Sequence, residues 1–570
     1  MASTTEPLPL QASHSGTQRP RPWLEAGWGW RAGAALIAIC VAAPVATLVW
    51  LAGMGDAGHW SHLIRYVLPE ALTNTILLLA GVGVLVASLG TGAAWLVTAY
   101  TFPTSRILSW ALLLPLAVPT YIVAFAYLDV LHPIGPVQSL IRNLLGYASP
   151  RDFRLPDLRS MTGAIFLLGF VLYPYVYLST RVMFATQAAN LIEAGRILGL
   201  SSRGVFLRVA LPLARPAIIV GLSLALLETL NDIGASEFLG VQTLTVSIYS
   251  TWITRSDLAG AAQIALAMLG LVVVLIMAER RGRRRQRYSN TQRMRPMQAR
   301  RLEGGPALLA MALGWLPIVV GFVVPVMYLA SETAKHLHLT GGVSEQLWQS
   351  GLNTVRISLL ATIVVVLCGL IVTWAARGAR PGRPARIAGL CARASTMGYA
   401  LPGTVLAIAL LTPINGLDHA LSWLRQSLTG MSPGLILMGS STALIAAYTI
   451  RFLAISIGSL ESGLARIPPS LEQASRLLGE SPTGTFRRVH LPLLRPAIGA
   501  SALLVFVDTM KELPATLLLR PVNFDTLATW LYAEAARGTY EEGAVAALAI
   551  VLAGLLPVIL LARHQLKSGH

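Results

Sequence analysis

Long apolar runs alternate with short polar stretches from one end of the chain to the other, and their spacing predicts the fold. We place the runs near 32–53, 72–100, 108–131, 161–180, 213–231 and 259–278, then near 306–330, 352–375, 392–413, 433–458, 494–519 and 543–562. A helix of about 20 apolar residues crosses a bilayer core of about 30 Å. In hydrocarbon each backbone amide must find its partner within its own segment, so every run predicts a helix. Two sets of six predict an all-α polytopic membrane protein. Composition agrees: 54% of the 570 residues are hydrophobic and 12% are charged, about half the roughly 25% charge of a soluble domain.

The net charge of +18 does not point to nucleic acid. With the N-terminus in the cytoplasm and sides alternating through twelve runs, the cytoplasmic side, run edges included, holds 31 basic and 8 acidic residues. The remainder holds 13 and 18, so the balance is +23 against −5. This is the positive-inside bias that orients membrane proteins, and both termini fall in the cytoplasm. Residues 1–30 form a polar, Pro- and Ser-rich tail that predicts disorder. Residues 279–303 hold ten arginines and no apolar stretch, and read as a cytoplasmic linker suited to anionic lipid head groups. It separates a first half, 31–278, from a second, 304–570. Cys40, Cys368 and Cys391 are scattered and match neither a metal spacing nor a disulfide framework.

The two halves are copies. Residues 191–218 set above 471–498, at a constant offset of 280, agree at 17 of 28 positions. Asn74-Thr75 echoes Asn353-Thr354, and Glu228-Thr229 echoes Asp508-Thr509. The halves are therefore parallel repeats about an axis along the membrane normal, which makes the space between them the natural place for a substrate. The repeated block lies between the fourth and fifth helices of each half, on the cytoplasmic side. Asn190 and Ser470 are suitable N-caps, with Glu193 and Gln473 three residues on to complete a capping box. Gly199 and Gly479 stand where a left-handed residue would end the helix. A two-turn helix displayed outside the membrane results, with the small Ala194 and Ala474 near its start. Presented twice, it suits docking to a two-fold partner; an amphipathic connector on the membrane surface is the plainer reading.

The pattern Glu193-Ala194, then Gly199, then Leu211-Pro212, repeated with Gln473-Ala474, Gly479 and Leu491-Pro492, resembles the EAA loop of binding-protein-dependent ABC permeases. The likeness covers about residues 60–565. The family implies the type I importer permease fold, with cores of about 72–277 and 351–561, in a bacterial inner membrane. It also implies that each loop is a coupling helix seated on a separate ATPase dimer, which holds ATP and Mg2+, and that an external, periplasmic or lipid-anchored binding protein delivers substrate. Loop residues carried over are Asn190, Glu193, Ala194, Gly195, Gly199, Phe206, Arg208, Leu211 and Pro212, and Ser470, Glu472, Gln473, Ala474, Gly479, Phe486, Arg488, Leu491 and Pro492. The fused arrangement, with Asp508 to Thr516 and Asn523 to Thr529, resembles the ferric-iron branch, which implies Fe3+ as the transported substrate. Thiamine and phosphonate permeases share the fused plan. Gly195 and Ser475 replace the usual Ala, and Gln473 replaces a Glu. A capping box accepts either residue, whereas an ion pair with the ATPase needs Glu. Glu472 is the substitute in the second loop, about 100° around the helix from Gln473.

Carboxylates near membrane depth are expensive and carry functional expectations. Glu228, Asn231, Asp232 and Glu237, with Asp508, Lys511 and Glu512, fall at corresponding ends of the fifth helices. They read either as a pathway lining or gate, or as interfacial helix ends with Asp508 and Lys511 paired at i,i+3. Arg451 reads as a snorkelling side chain. No compact set of hard oxygen ligands for a tightly bound metal is visible. No Gly-x-x-x-x-Gly-Lys-Ser/Thr loop is present, so the chain is not expected to hydrolyse ATP. An ion-driven transporter would have no use for duplicated docking loops, and the dispersed histidines offer no catalytic constellation for a membrane enzyme.

Overall fold

A computed structural model describes residues 28–54, 60–61, 63–186, 195, 197–284, 299–377, 383–430 and 435–567. Most of the N-terminal tail, the centre of the arginine-rich linker, and Asn190, Glu193 and Ala194 lie outside the described residues.

The first half comprises α1 (Trp28–Met54), α2 (Leu68–Ala99), α3 (Ser105–Ala111), α4 (Thr120–Val130), α5 (Pro136–Leu145), α6 (Met161–Thr186), α7 (Leu211–Asn231), α8 (Gly234–Phe238), α9 (Leu244–Ile253) and α10 (Leu258–Arg284). The second comprises α11 (Gly305–Ile318), α12 (Val324–Thr340), α13 (Glu345–Arg377), α14 (Arg383–Thr396), α15 (Gly403–Thr429), α16 (Thr442–Ala465), α17 (Pro469–Leu477), α18 (Leu491–Met510), α19 (Pro514–Leu519), α20 (Leu527–Arg537) and α21 (Tyr540–Lys567). Among the described residues, eleven helices are long and apolar enough to cross a membrane, and a twelfth span results if the bent pair 105–117 and 120–130, broken by 90°, counts as one. The apolar runs are thus found, with three corrections. The run 392–413 is displaced, its spanning helix being Gly403–Thr429, the run 433–458 is displaced to Thr442–Ala465, and the run 494–519 breaks after Met510.

The outermost helix of each half reaches across to the other. α1 packs on α10 and on α13, α14 and α15, while α12 packs on α21 and on α4. The apolar core accordingly mixes both halves, with Leu230 and Ile264 in one cluster with Leu406, Tyr448 and Val505. At roughly 25 cal/mol per Å2 of apolar surface, burial drives soluble assembly. Between helices already in lipid it does not, and close packing with polar ties must hold the halves together.

Within each half, a polar tie is built from the Asn-Thr echo. Asn74 and Asn353 donate to the carbonyls of Gln242 (3.2 Å) and Asp525 (3.1 Å). Thr75 and Thr354 accept from the backbone N–H groups of Leu244 (3.0 Å) and Leu527 (2.8 Å), the first residues of α9 and α20. These N–H groups have no partner within their own helices, so the threonine hydroxyl satisfies a donor buried at membrane depth. Thr354→Val leaves that donor unpaired at unchanged volume. It should destabilise the protein by about 1–3 kcal/mol, read as a lower midpoint of thermal unfolding in nanodiscs, and Thr75→Val should match it.

Candidate functional site

From the turning glycine onward, both repeated loops share one backbone plan. The chain turns at Gly199 (φ +84°) and Gly479 (φ +83°), a left-handed conformation that favours glycine. Both copies then pass through a π-turn, Phe206–Ala210 and Phe486–His490. The N–H of Leu211 bonds Phe206 O and that of Leu491 bonds Phe486 O, each five residues back. Pro212 and Pro492 follow, and having no N–H they could not continue an α-register there. The Phe side chains turn inward. Phe206 lies 5.2 Å from Trp95, and Phe486 lies 5.2 Å from both Trp374 and Trp30. They anchor the loops and are not displayed, whereas Arg208 and Arg488 are exposed, Arg488 with Glu480 as its partner.

The second loop helix, α17, starts at Pro469, so Pro468 takes the cap and Ser470 falls within the first turn. Proline with its fixed φ suits that first position. The Ser470–Gln473 capping box expected from sequence is displaced by it. Gln473 and Ala474 are exposed, while Ser475 is buried and shares a 2.9 Å hydrogen bond with Thr485. Glu472 does not face outward to stand in for Glu193: it is paired with Arg377 at the end of α13. Sequence reasoning passed over the exposed apolar pairs beside the turns, Ile197-Leu198 and Leu477-Leu478, each residue more than four-fifths exposed.

The fifth helices meet a second site. α7 and α18 stop at Asn231 and Met510, and a short helix restarts after each. Between them lies a cavity of about 130 Å3, lined by Glu228, Asn231 and Asp232 from one half and Asp508, Lys511 and Glu512 from the other. Asp232 accepts from the N–H of Ala235 (2.7 Å), and Glu512 accepts from those of Ala515 and Thr516 (3.1 Å each). Each carboxylate therefore caps the restarted helix. Lys511 pairs with Asp508 at 2.8 Å, the i,i+3 contact expected. Tyr399 donates to Glu228 at 3.3 Å, and Tyr121 and Tyr175 also reach the cavity.

Arg451 corrects the sequence reading. It does not snorkel: its side chain is 11% exposed and lies 3.4 Å from Glu512, itself 1% exposed. Arg451 also donates to Asn231 Oδ1 at 2.9 Å, and the same oxygen accepts from Gly403 N–H at 2.7 Å. A Cβ on Gly403 would lie 2.4 Å from the guanidinium and 2.8 Å from Glu512, so the glycine makes room for the pair. The sequence had no means of signalling a contact between residues 220 positions apart.

Glu237 stands apart from the other candidates. It lies beyond the cavity, on the side away from the loops, where it accepts from the hydroxyl of Tyr532 in the other half. Tyr532 stacks on Phe238 at 5.6 Å and meets Tyr249 edge-on at 6.3 Å. Because Leu244 and Leu527 are equivalent, Tyr249 and Tyr532 are counterparts facing each other across the two halves. Among the described residues no group of three His, Cys, Asp or Glu is arranged to hold a metal.

Arg451→Met would strand Glu512 as an uncompensated buried charge, at a cost of about 3–5 kcal/mol. Adding Glu512→Gln should recover most of that loss. Unfolding of the single and double variants in nanodiscs measures both, and strictly additive losses would contradict the pairing.

The family described as binding-protein-dependent transport system inner membrane component matches twice, over residues 87–288 and 378–567. The Fe(3+)-transport system permease protein FbpB 2 of Haemophilus influenzae is 26% identical over 89% of this chain and 92% of its own. A putative 2-aminoethylphosphonate transport system permease protein, PhnV, of Salmonella typhimurium is 26% identical over 41% of this chain and 80% of its own. The molybdenum transport system permease protein ModB of Escherichia coli is 29% identical over 33% of this chain and 86% of its own. The last two align with a stretch about as long as one half, and the first with both. With the repeated loop, the helical repeats and two family matches, the chain belongs to the binding-protein-dependent transport system inner membrane component family, as a multi-pass ABC importer permease with two fused halves and not itself an enzyme.

Proposed function

We propose that this permease imports a small, hard cation, ferric iron, through the cavity between its fifth helices. The observation that carries the reading is the charge of that cavity: four carboxylates against Arg451 and Lys511, a formal −2, with three tyrosines beside them. Carboxylate and phenol oxygens suit hard cations. The same surface repels molybdate and phosphonate, the oxyanions that the shorter relatives' names indicate. The lining is a transit surface, since its carboxylates are already engaged by cations, helix caps and a tyrosine. Fe3+ is thus cargo, with no tightly held metal.

The arginine bias places the loop face in the cytoplasm, with both termini. There the two loops would seat a separate ATPase dimer carrying ATP and Mg2+, their exposed Ile197-Leu198 and Leu477-Leu478 filling apolar clefts. A binding protein would deliver substrate at the opposite face, where Tyr249, Tyr532 and Glu237 close the way to the cavity. Nucleic acid has no part in this reading.

The test reconstitutes the full chain with its ATPase subunits in proteoliposomes and supplies binding protein loaded with ferric iron, molybdate or 2-aminoethylphosphonate. Ferric loading should stimulate ATP hydrolysis and uptake. Glu228→Gln with Asp508→Asn should cut iron uptake tenfold or more while the complex still assembles. Stimulation by either oxyanion instead would end the cation reading. Separately, Glu193→Ala should uncouple hydrolysis from uptake. If Glu193→Gln fails as well, the residue makes an ion pair with the ATPase; wild-type behaviour would reduce it to a helix cap.

A further inference from the structure

An ionic clasp fastens the second loop to the membrane body. In the second half, the guanidinium of Arg377, the last residue of α13, is 19% exposed and has its donors committed in three directions. Nε bonds Glu472 on α17, Nη1 bonds the carbonyl of Leu464, and Nη2 bonds that of Ile467 at 2.7 Å. Leu464 and Ile467 carry the end of α16, where carbonyls lack helical partners and the dipole attracts a cation. His490, fully buried just before α18, sets Nε2 3.4 Å from Glu472 and meets the Trp374 ring, tilted, at 4.7 Å. One rigid fork thus holds the loop helix to two membrane helices, with a histidine from a third against the same carboxylate.

At the offsets that pair Trp95 with Trp374 and Phe206 with Phe486, Thr98 stands for Arg377, Ile192 for Glu472 and Ala210 for His490. Thr98 spends its hydroxyl on Ala94 O in its own helix, at 2.6 Å. The second loop's carboxylate sits one place earlier than the first loop's Glu193 and is turned inward.

We propose that Arg377 is a positioning residue whose ionic clasp rigidly links the second loop to the transport pathway. This rests on the reading of both loops as ATPase-docking elements. α16 extends from the clasp to Arg451, which touches the cavity; the 14 residues from Arg451 to Ala465 span about 21 Å of helix. A displacement of α17 therefore reaches Arg451, Glu512 and Asn231 through a single helix. Such a route needs a demonstration of coupling, not merely intermediacy.

The test uses the full chain with its ATPase subunits in nanodiscs and follows backbone hydrogen exchange with and without ATP plus vanadate. It needs no transported substrate, so it stands whether or not iron is the cargo. In wild type, trapping should change exchange in α17 and at the end of α16 together. Arg377→Met and Glu472→Gln should keep the α17 response and lose at least three-quarters of the α16 response. Arg377→Lys, which cannot form the fork, should fail likewise, and Thr98→Val should leave the first half unchanged. A variant that retains the α16 response overturns the proposal. So does loss of ATPase binding in the isosteric Glu472→Gln, because the clasp would then only build the docking surface. Absence of any α17 response in wild type would instead remove the docking reading itself, and the proposal with it.

Discussion

A helix that stops inside a membrane leaves backbone N–H groups with neither water nor a helical partner, and this constraint organises the centre of the protein. α7 and α18 both stop there, and the chain restarts as α8 and α19. The carboxylates of Asp232 and Glu512 satisfy the restarted helices, exploiting the positive end of each dipole. A buried carboxylate is itself expensive, so the next requirement is a counter-charge, met at Glu512 by Arg451 from α16. Arg451 in turn needs space, given by Gly403, and an acceptor, given by Asn231 of the other half. The polar cavity follows from the broken helices, and irregular backbone at membrane depth is tolerated because it lines such a cavity.

The repeats share their backbone devices and differ in their charges. Thr75 and Thr354, the two Trp–Phe contacts, the π-turns and the left-handed glycines recur almost unchanged. Each meets a demand that the backbone makes in either half. Val171 against Arg451 and Asn231 against Lys511 each give the second half an additional charge, and the loop carboxylate moves one place, from Glu193 to Glu472. Separate identical subunits would have to place every charge twice, close to the axis, where like charges repel. Fusion removes that symmetry, and two cations can face four carboxylates from one side.

Much of this was legible in the sequence, for identifiable reasons. The helices were readable because lipid enforces length and apolarity, and the repeated loop because duplication repeats its capping and turn residues together. Asn74-Thr75 showed as an echo without a role, since its partners lie some 170 positions away. Arg451 was misread for the same reason: alone in an apolar run, an arginine is indistinguishable from a snorkelling one. The cap at Ser470 failed because Pro469 can itself open a helix. Glu237 was grouped with the cavity by proximity along the chain, but one short helix carries it past the cavity to Tyr532.

The aromatic closure and the clasp bear on one another. Tyr249, Phe238 and Tyr532, the proposed closure, join the two halves on the side away from the loops through ring contacts and the Glu237 bond. Ring contacts of this kind contribute about 0.5–1.5 kcal/mol each beyond area burial, weak enough to be broken and remade. The ion pair of Arg377 and Glu472 is partly shielded and backed by two carbonyl bonds from the same guanidinium, and breaking it leaves a half-buried charge behind. Under the proposed coupling, force entering at α17 should therefore yield at the aromatic closure rather than at the clasp. The stiff contact lies where the ATPase would push and the compliant one where the substrate would enter, the order a permease needs to move its cavity between two faces.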